Sequence, residues 1–281
     1  MDEKICVVFV CNLPYYNSFR NTYFNLLNEG NYKGEIVLVI GDDLYNSEYN
    51  AILIRDPEVF ENKNIKIKYF PNFKFDESFY INHIHLERPY TWIKKLFQYH
   101  KLHLFDVFFK QWNYIFYVDC GVKFLSDITP ILNEKRPNIL FANRDGMDNE
   151  SAAWCLPETP GEGLKIGDQF DKTNKIYNAL SELYRMNEPY FQTSVMLYDT
   201  SIIEENTVNE LYGMSARYPI SITNDQGIIA LYFTQIKPFW KQLRRKNEET
   251  YFYDYVRCVD ENYIMVKDLT TAYINNGYNE I

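Results

Sequence analysis

The chain has 281 residues, a formal net charge of -9 and an isoelectric point near 5.1. That length can bury a substantial core, as one large α/β domain or two small ones. The acidic balance excludes nucleic acid as the main partner, because phosphate contacts need a basic surface, and the one cationic cluster, Lys241 to Lys246, reads as a solvated turn. Aromatic residues make up 17% of the chain. Asn, Ile and Lys are abundant with them, so AT-rich coding explains the excess more simply than ligand platforms do. The five cysteines form no CxxC pair, which implies a reduced, cytoplasmic protein with no zinc site. No apolar window approaches about 18 residues, so no membrane span is expected, and the acidic start Met-Asp-Glu-Lys does not resemble a signal anchor.

Ile5–Cys11 is a continuous apolar run, the pattern of a strand buried on both faces. A turn at Asn12-Leu-Pro14 leads to a helix over about 17–28, with Phe19, Tyr23, Phe24 and Leu27 on one face. Ile36–Ile40 is a second buried strand that stops at Gly41-Asp42-Asp43, and Ile65–Phe70 alternates like a strand nearer an edge. The stretch from about Tyr90 to Lys110 reads as one long amphipathic helix, with Leu102, Phe105, Phe109 and Trp112 at helical spacing. Tyr114–Val118, Asn138–Ala142 and Ser194–Tyr198 are further strands. The polar, Gly- and Pro-rich stretch 143–171 reads as a long functional loop lying over the sheet. Strands alternating with helices predict an α/β fold: a single domain over residues 1–281, with a mostly parallel central sheet flanked by helices. Residues 1–125 and 126–281 would form its two halves.

In such a sheet, ligands bind at the carboxyl ends of the strands. The strand exits are Cys11-Asn12 to Tyr15, Gly41-Asp42-Asp43, Asp119-Cys120-Gly121, Asn143-Arg144-Asp145 and Asp199. An acid emerging from an apolar strand, such as Asp119 after Val118, is desolvated at a cost unless something stabilises its charge. A ribose hydroxyl or a diphosphate-borne cation would do so. Gly121 would let a phosphate approach the backbone. An ordinary turn-capping Asp explains the triplet equally well.

Five segments carry a resemblance. They are Val10-Cys-Asn12-Leu-Pro-Tyr15; Lys101-Leu-His103-Leu-Phe-Asp; Tyr114-Ile-Phe-Tyr-Val-Asp119-Cys-Gly followed by Ser126-Asp-Ile-Thr-Pro-Ile-Leu132; Tyr190-Phe-Gln192-Thr-Ser194-Val-Met-Leu; and Asn224-Asp225-Gln226-Gly227. In this order, over roughly residues 4–240, they resemble the glycogenin-like family 8 of GT-A glycosyltransferases. The overall flavour is that of the short enzymes of large DNA viruses, which would put the protein in a host cytoplasm.

The resemblance implies a Rossmann-like GT-A domain that uses a nucleotide sugar, UDP-linked and with retention, on a glycan or protein acceptor, with 1–125 as its nucleotide-binding half, 126–281 as its sugar- and acceptor-binding half and the 143–171 loop as the expected place for acceptor recognition. It implies donor contacts from Val10, Asn12, Tyr15, Asp42, Val118, Asp119, Cys120 and Gly121, with Tyr15 stacking on the base and Asn12 bonding its edge. Lys101 would face the donor phosphate or sugar, with Lys94 and Lys95 as weaker candidates. Gln192 and Asp225 would contact the transferred sugar, and Gln226 would lie near the reacting carbon. Asn224 would cap the last helix. A Mn2+ or Mg2+ ion would be held by Asp119. A homodimer is left open.

Two departures bear on the metal. Gly121 stands where the family has its second acid, and the late segment Phe233 to Trp240 lacks the family's histidine. A cation held by Asp119, diphosphate and water is one alternative, and metal-independent transfer with Lys or Arg carrying the charge is the other. A sugar-nucleotide nucleotidyltransferase is a rival reading, although the first strand exit lacks the Gly-rich basic loop such enzymes carry. A non-catalytic nucleotide- or glycan-binding module is a third.

Overall fold

The computed structural model describes residues 3–45, 56–82, 96–145, 168–186, 188–221, 224–242 and 256–258. A seven-stranded sheet runs in the order β3-β2-β1-β4-β7-β6-β8. Its strands are β1 (Ile5–Cys11), β2 (Glu35–Ile40), β3 (Ile65–Tyr69), β4 (Tyr114–Val118), β6 (Leu140–Asp145), β7 (Tyr190–Asp199) and β8 (Trp240–Lys241). A separate pair joins β5 (Val122–Phe124) to β9 (Val256–Cys258). The main sheet is mostly parallel, as the apolar strand runs predict. The exception is β7, which runs antiparallel to both β4 and β6.

Period-two alternation sorts the strand residues onto two faces. Val8, Val10, Val37, Val39, Ile115, Tyr117, Met196 and Tyr198 pack into one buried cluster. Val7, Phe9, Ile36, Leu38, Phe116, Val118, Val195 and Leu197 pack into the other. The second face is covered by α1 (Tyr16–Asn28), which buries Phe19, Tyr23 and Leu26 against it. On the first face lie a 3-10 stretch from Tyr99 to Phe105 and the helices α3 (Thr207–Arg217) and α4 (Asp225–Leu231). The helix α2 (Asp168–Leu183) lies between β6 and β7 in the chain.

The stretch expected as one long helix to Lys110 is broken. Tyr99–Phe105 and Val107–Gln111 are two 3-10 segments, separated by Asp106 in an extended conformation, whose carboxylate accepts the Phe108 N–H at 2.8 Å. Six of the seven residues in the first segment are buried, so it is core-facing on nearly every side rather than amphipathic. Residues 90–95, with Lys94 and Lys95, lie outside the described residues, as do 146–167 of the expected long loop and 243–246 of the cationic cluster. Two strand exits are also corrected. Asn143–Asp145 belong to β6, beyond a bulge at 142–144. Asp199 ends the reversed strand β7, opposite Tyr114, and so lies at the amino edge of the parallel strands. There it accepts the N–H groups of Asn138 and Ser201 at 2.7 and 2.9 Å.

Two histidines are packed into this core beside Lys101. The His103 ring lies between Phe70 and Phe73, with centroids 4.3 Å from each. Burial pushes the His100 imidazole down to about 4, and burial with the neighbouring His100 pushes His103 down to about 3. Both folded values fall below the unfolded value near 6.5, so the unfolded chain binds more protons between about pH 4 and 6.5. Unfolding free energy should therefore fall as pH drops through that window, by on the order of 3 kcal/mol per histidine at pH 4. Urea unfolding across this range should show that slope, and His103→Phe, which keeps the stacked ring, should reduce it by about half.

Candidate active site

The carboxyl edge of β4 is where the chain reverses into β5. The Val122 N–H closes a four-residue turn on the Asp119 carbonyl at 3.2 Å, and Gly121 holds its third position with φ +99. A side chain there would be strained, so the glycine serves the turn first. A Cβ at this position would meet nothing within 4 Å, and the space beside the turn is open. The Gly121 N–H donates to Thr22 Oγ1 of α1 at 2.8 Å.

Alternation on β4 places Tyr117 and Asp119 on the same face as the 3-10 stretch carrying Lys101. The Lys101 ammonium lies 2.9 Å from Asp119 Oδ1 and 3.1 Å from Oδ2. The Tyr117 hydroxyl donates to Asp119 Oδ1, and the Asp119 N–H donates to the Ser194 carbonyl of β7 at 2.8 Å. A second carboxylate arrives from α4, with Asp225 Oδ2 3.7 Å from the ammonium. Thr193 ties it down: the hydroxyl donates to Asp225 Oδ2 at 3.0 Å, and the Thr193 N–H donates to Gln226 Oε1 at 3.2 Å. Because β7 is reversed, Gln192, Thr193 and Ser194 lie at its beginning and still reach the carboxyl edge of β4.

Burial pushes the Asp225 carboxyl up to about 6; the Asp119 charge adds to that and the Lys101 charge opposes it. Burial disfavours the Lys101 ammonium, but Asp119 and Asp225 outweigh it and hold its pKa above the ordinary lysine value. The lysine is therefore charged at neutral pH. Asp225 changes charge near pH 6, in a site that holds Asp119 and a fixed cation.

The other expected donor residues divide into two groups. The β1–β4 register, Val8 opposite Tyr117, sets Val10 level with Asp119 when carried on two residues; Cys120 Sγ donates to the Val10 carbonyl at 3.3 Å. Val118 is wholly buried in the strand. Asn12, one step past the end of β1, is buried with neither side-chain polar atom hydrogen-bonded among the described residues. Tyr15, at the end of a short 3-10 turn, is half-buried, and its phenol is pushed up by burial and then by the Asp119 charge, so it sits close to the cluster. Asp42 stands apart at the end of β2. It accepts Tyr69 Oη–H at 2.6 Å and the Asn72 N–H at 3.3 Å, which fastens the β2 and β3 exits together. Asn224 does precede α4, at φ 55, but it makes no side-chain cap. Its amide donates instead to Gln98 Oε1.

Sequence reasoning missed Tyr117 and Thr193. Strand alternation contained the signal for Tyr117, two residues before Asp119. Thr193 needed the contact between β7 and α4.

Among the described residues, the groups around the β4 exit do not fit a protein-held divalent ion. Such a site needs several oxygen or nitrogen ligands, and no cluster of three or more His, Cys, Asp or Glu that could supply them exists among the described residues. Both Asp119 oxygens already face Lys101, and one also faces Tyr117. The late segment is committed elsewhere: Tyr232–Ile236 forms a π-helical turn after α4, and Lys237 pairs with Glu204 at 2.7 Å.

The fold has a class: it is the mixed α/β fold of GT-A glycosyltransferases. Two solved structures illustrate it. The galactosyltransferase LgtC, in complex with donor and acceptor sugar analogues, matches with a TM-score of 0.53 at 14% identity, over 85% of this chain and 73% of its own. The mannosyltransferase Ktr4p from S. cerevisiae matches with a TM-score of 0.51 at 13% identity, over 86% of this chain and 69% of its own. Neither a protein-family profile nor a curated protein matches the sequence. No helix among the described residues is long and apolar enough to cross a membrane.

The coupling between Asp225 and Lys101 gives a direct test of the site. Carbon-13 carboxylate NMR should find an aspartate titrating near pH 6 that disappears in Asp225→Asn. In Lys101→Met the lowering influence of the ammonium is gone, so the same resonance should titrate at higher pH. A midpoint that stays put would show that the two groups do not sense each other.

Proposed function

We propose that this chain is a glycosyltransferase that moves a sugar from a nucleoside diphosphate sugar, UDP-linked, onto a glycan or protein acceptor. The observation that carries the reading is the convergence of Asp119 and Asp225 on one ammonium at the carboxyl edge of a GT-A sheet. Ligands of open α/β sheets bind at that edge. The order of the five glycogenin-like segments supports the donor class and the retaining outcome.

In this reading the nucleotide lies along the exits of β1 and β4. Tyr15 stacks on the base, and the buried, unpartnered amide of Asn12 is the group that reads its edge after a small side-chain shift. An orphaned buried amide costs roughly 1–3 kcal/mol, which a ligand hydrogen bond would offset. Asp119 orients the ribose and anchors Lys101. Asp225 and Gln192 hold hydroxyls of the transferred sugar, with Gln226 beside the anomeric carbon. Thr193 is a positioning residue, since it acts through Asp225 and Gln226. The acceptor enters from the side of 126–281.

Incubating the purified chain with UDP- and GDP-sugars and following nucleotide release tests the proposal. Turnover of at least one donor is expected, and failure to bind any nucleoside diphosphate would remove the basis for it. Asp119→Ala should lower that turnover by about 100-fold or more, the scale on which oriented charge matters in catalysis. The structure makes Asp119 the nearest counter-ion of a Lys101 side chain only 13% exposed, so the variant should also lose on the order of 1–3 kcal/mol of unfolding free energy. Adding Lys101→Met should restore part of that stability and none of the turnover.

A further inference from the structure

A diphosphate leaving group gains negative charge as the sugar departs, and something positive must meet it. A divalent ion at the β4 exit would have Asp119 as its protein ligand there, and both Asp119 oxygens already face other groups. An ion seated on Asp119 would also stand a few ångströms from a fixed ammonium, and like charges at that range repel strongly in a half-buried site. Residue 121 cannot readily regain an acid, because its left-handed backbone is part of the turn.

The Lys101 side chain is suited to the task in three ways. It sits on a buried segment whose neighbouring residues Leu102, His103 and Leu104 are themselves buried. Asp119 and Tyr117 orient it from β4 and Asp225 faces it from α4. It also retains hydrogen-bonding capacity. An ammonium has three donors; Asp119 engages at most two, and Asp225 at 3.7 Å is beyond hydrogen-bond distance. Among the described residues, at least one N–H is therefore left for a ligand oxygen, on a side chain that keeps 13% of its surface exposed. The space beside Gly121 is open.

We propose that Lys101 is the built-in cation of the donor site: its ammonium, anchored by Asp119 and faced by Asp225, binds the diphosphate directly, and no divalent metal ion is required. This inference rests on the glycosyltransferase reading and deepens it. In the transfer step the bond between the anomeric carbon and the β-phosphate oxygen breaks, and its electron pair goes to that oxygen. A new bond forms between the anomeric carbon and the acceptor hydroxyl oxygen, and the acceptor proton passes to the departing diphosphate. Lys101 gives up no proton in this scheme. It offers an N–H and a full charge to the oxygen that becomes more negative.

The test is calorimetric titration of the full chain with UDP and with GDP, in excess EDTA and in millimolar Mn2+. The nucleotide that binds should do so with dissociation constants agreeing within about threefold in the two buffers. Lys101→Met should weaken binding in EDTA by about 10- to 100-fold, the worth of one charged hydrogen bond, and Lys101→Arg should recover most of the loss. Circular dichroism melts establish that each variant is folded, and the wild-type comparison of the two buffers does not depend on any variant. Binding that tightens tenfold or more in Mn2+, or a folded Lys101→Met that binds like wild type, would overturn the built-in cation while leaving the glycosyltransferase reading intact. Binding of neither nucleotide in either buffer would overturn both.

Discussion

A nearly buried ammonium must be matched by carboxylates, and the carboxyl edge of this sheet is organised around that constraint. Lys101 has Asp119 at 2.9 Å and Asp225 at 3.7 Å. Three elements far apart in the chain are brought to one point by it: a 3-10 stretch, the exit of β4 and the first turn of α4. Tyr117 and Thr193 each add a hydroxyl to one of the carboxylates. The group with the most exposed position, Asp119, is also the one bound most tightly to the cation. The fully enclosed one, Asp225, is left partly uncompensated, and its carboxyl therefore titrates near pH 6.

The reversed strand makes this arrangement possible. In a wholly parallel sheet the residues opening β7 would lie at the edge away from Asp119. Running antiparallel, β7 presents Thr193 and Ser194 beside the β4 exit, and its far end, Asp199, serves only backbone groups at the other edge. The 3-10 geometry of Tyr99–Phe105 matters in a similar way. Buried on nearly every side, it inserts Lys101 from within the core, flanked by two imidazoles that burial keeps neutral. The cation is thus held by packing as well as by charge, which is the condition for a preorganised site.

The Asp119-Cys120-Gly121 triplet shows how one motif can answer two demands. Its acid orients a cation, and its glycine closes the β4–β5 turn through a left-handed backbone. The turn needs the residue that has no Cβ, and the Lys101 charge is met by Asp119 and, farther off, by Asp225.

By itself, the sequence determined six of the seven strands of the main sheet, because apolar runs and period-two alternation are local properties of the chain, and it marked the strand exits as the expected place for a site. It also singled out Asp119, Lys101, Asp225 and Gln226, through strand exits and motif order. Only the tertiary structure decided that β7 is antiparallel, that the Lys101 segment is a buried 3-10 stretch in place of a long amphipathic helix, and that Asp199 belongs to the opposite edge. Strand direction and helix type depend on which distant surfaces meet, and no local pattern records that. The pairing of Lys101 with residues 18 and 124 positions further along the chain is of the same kind. A charge in the sequence has no partner until the fold supplies one.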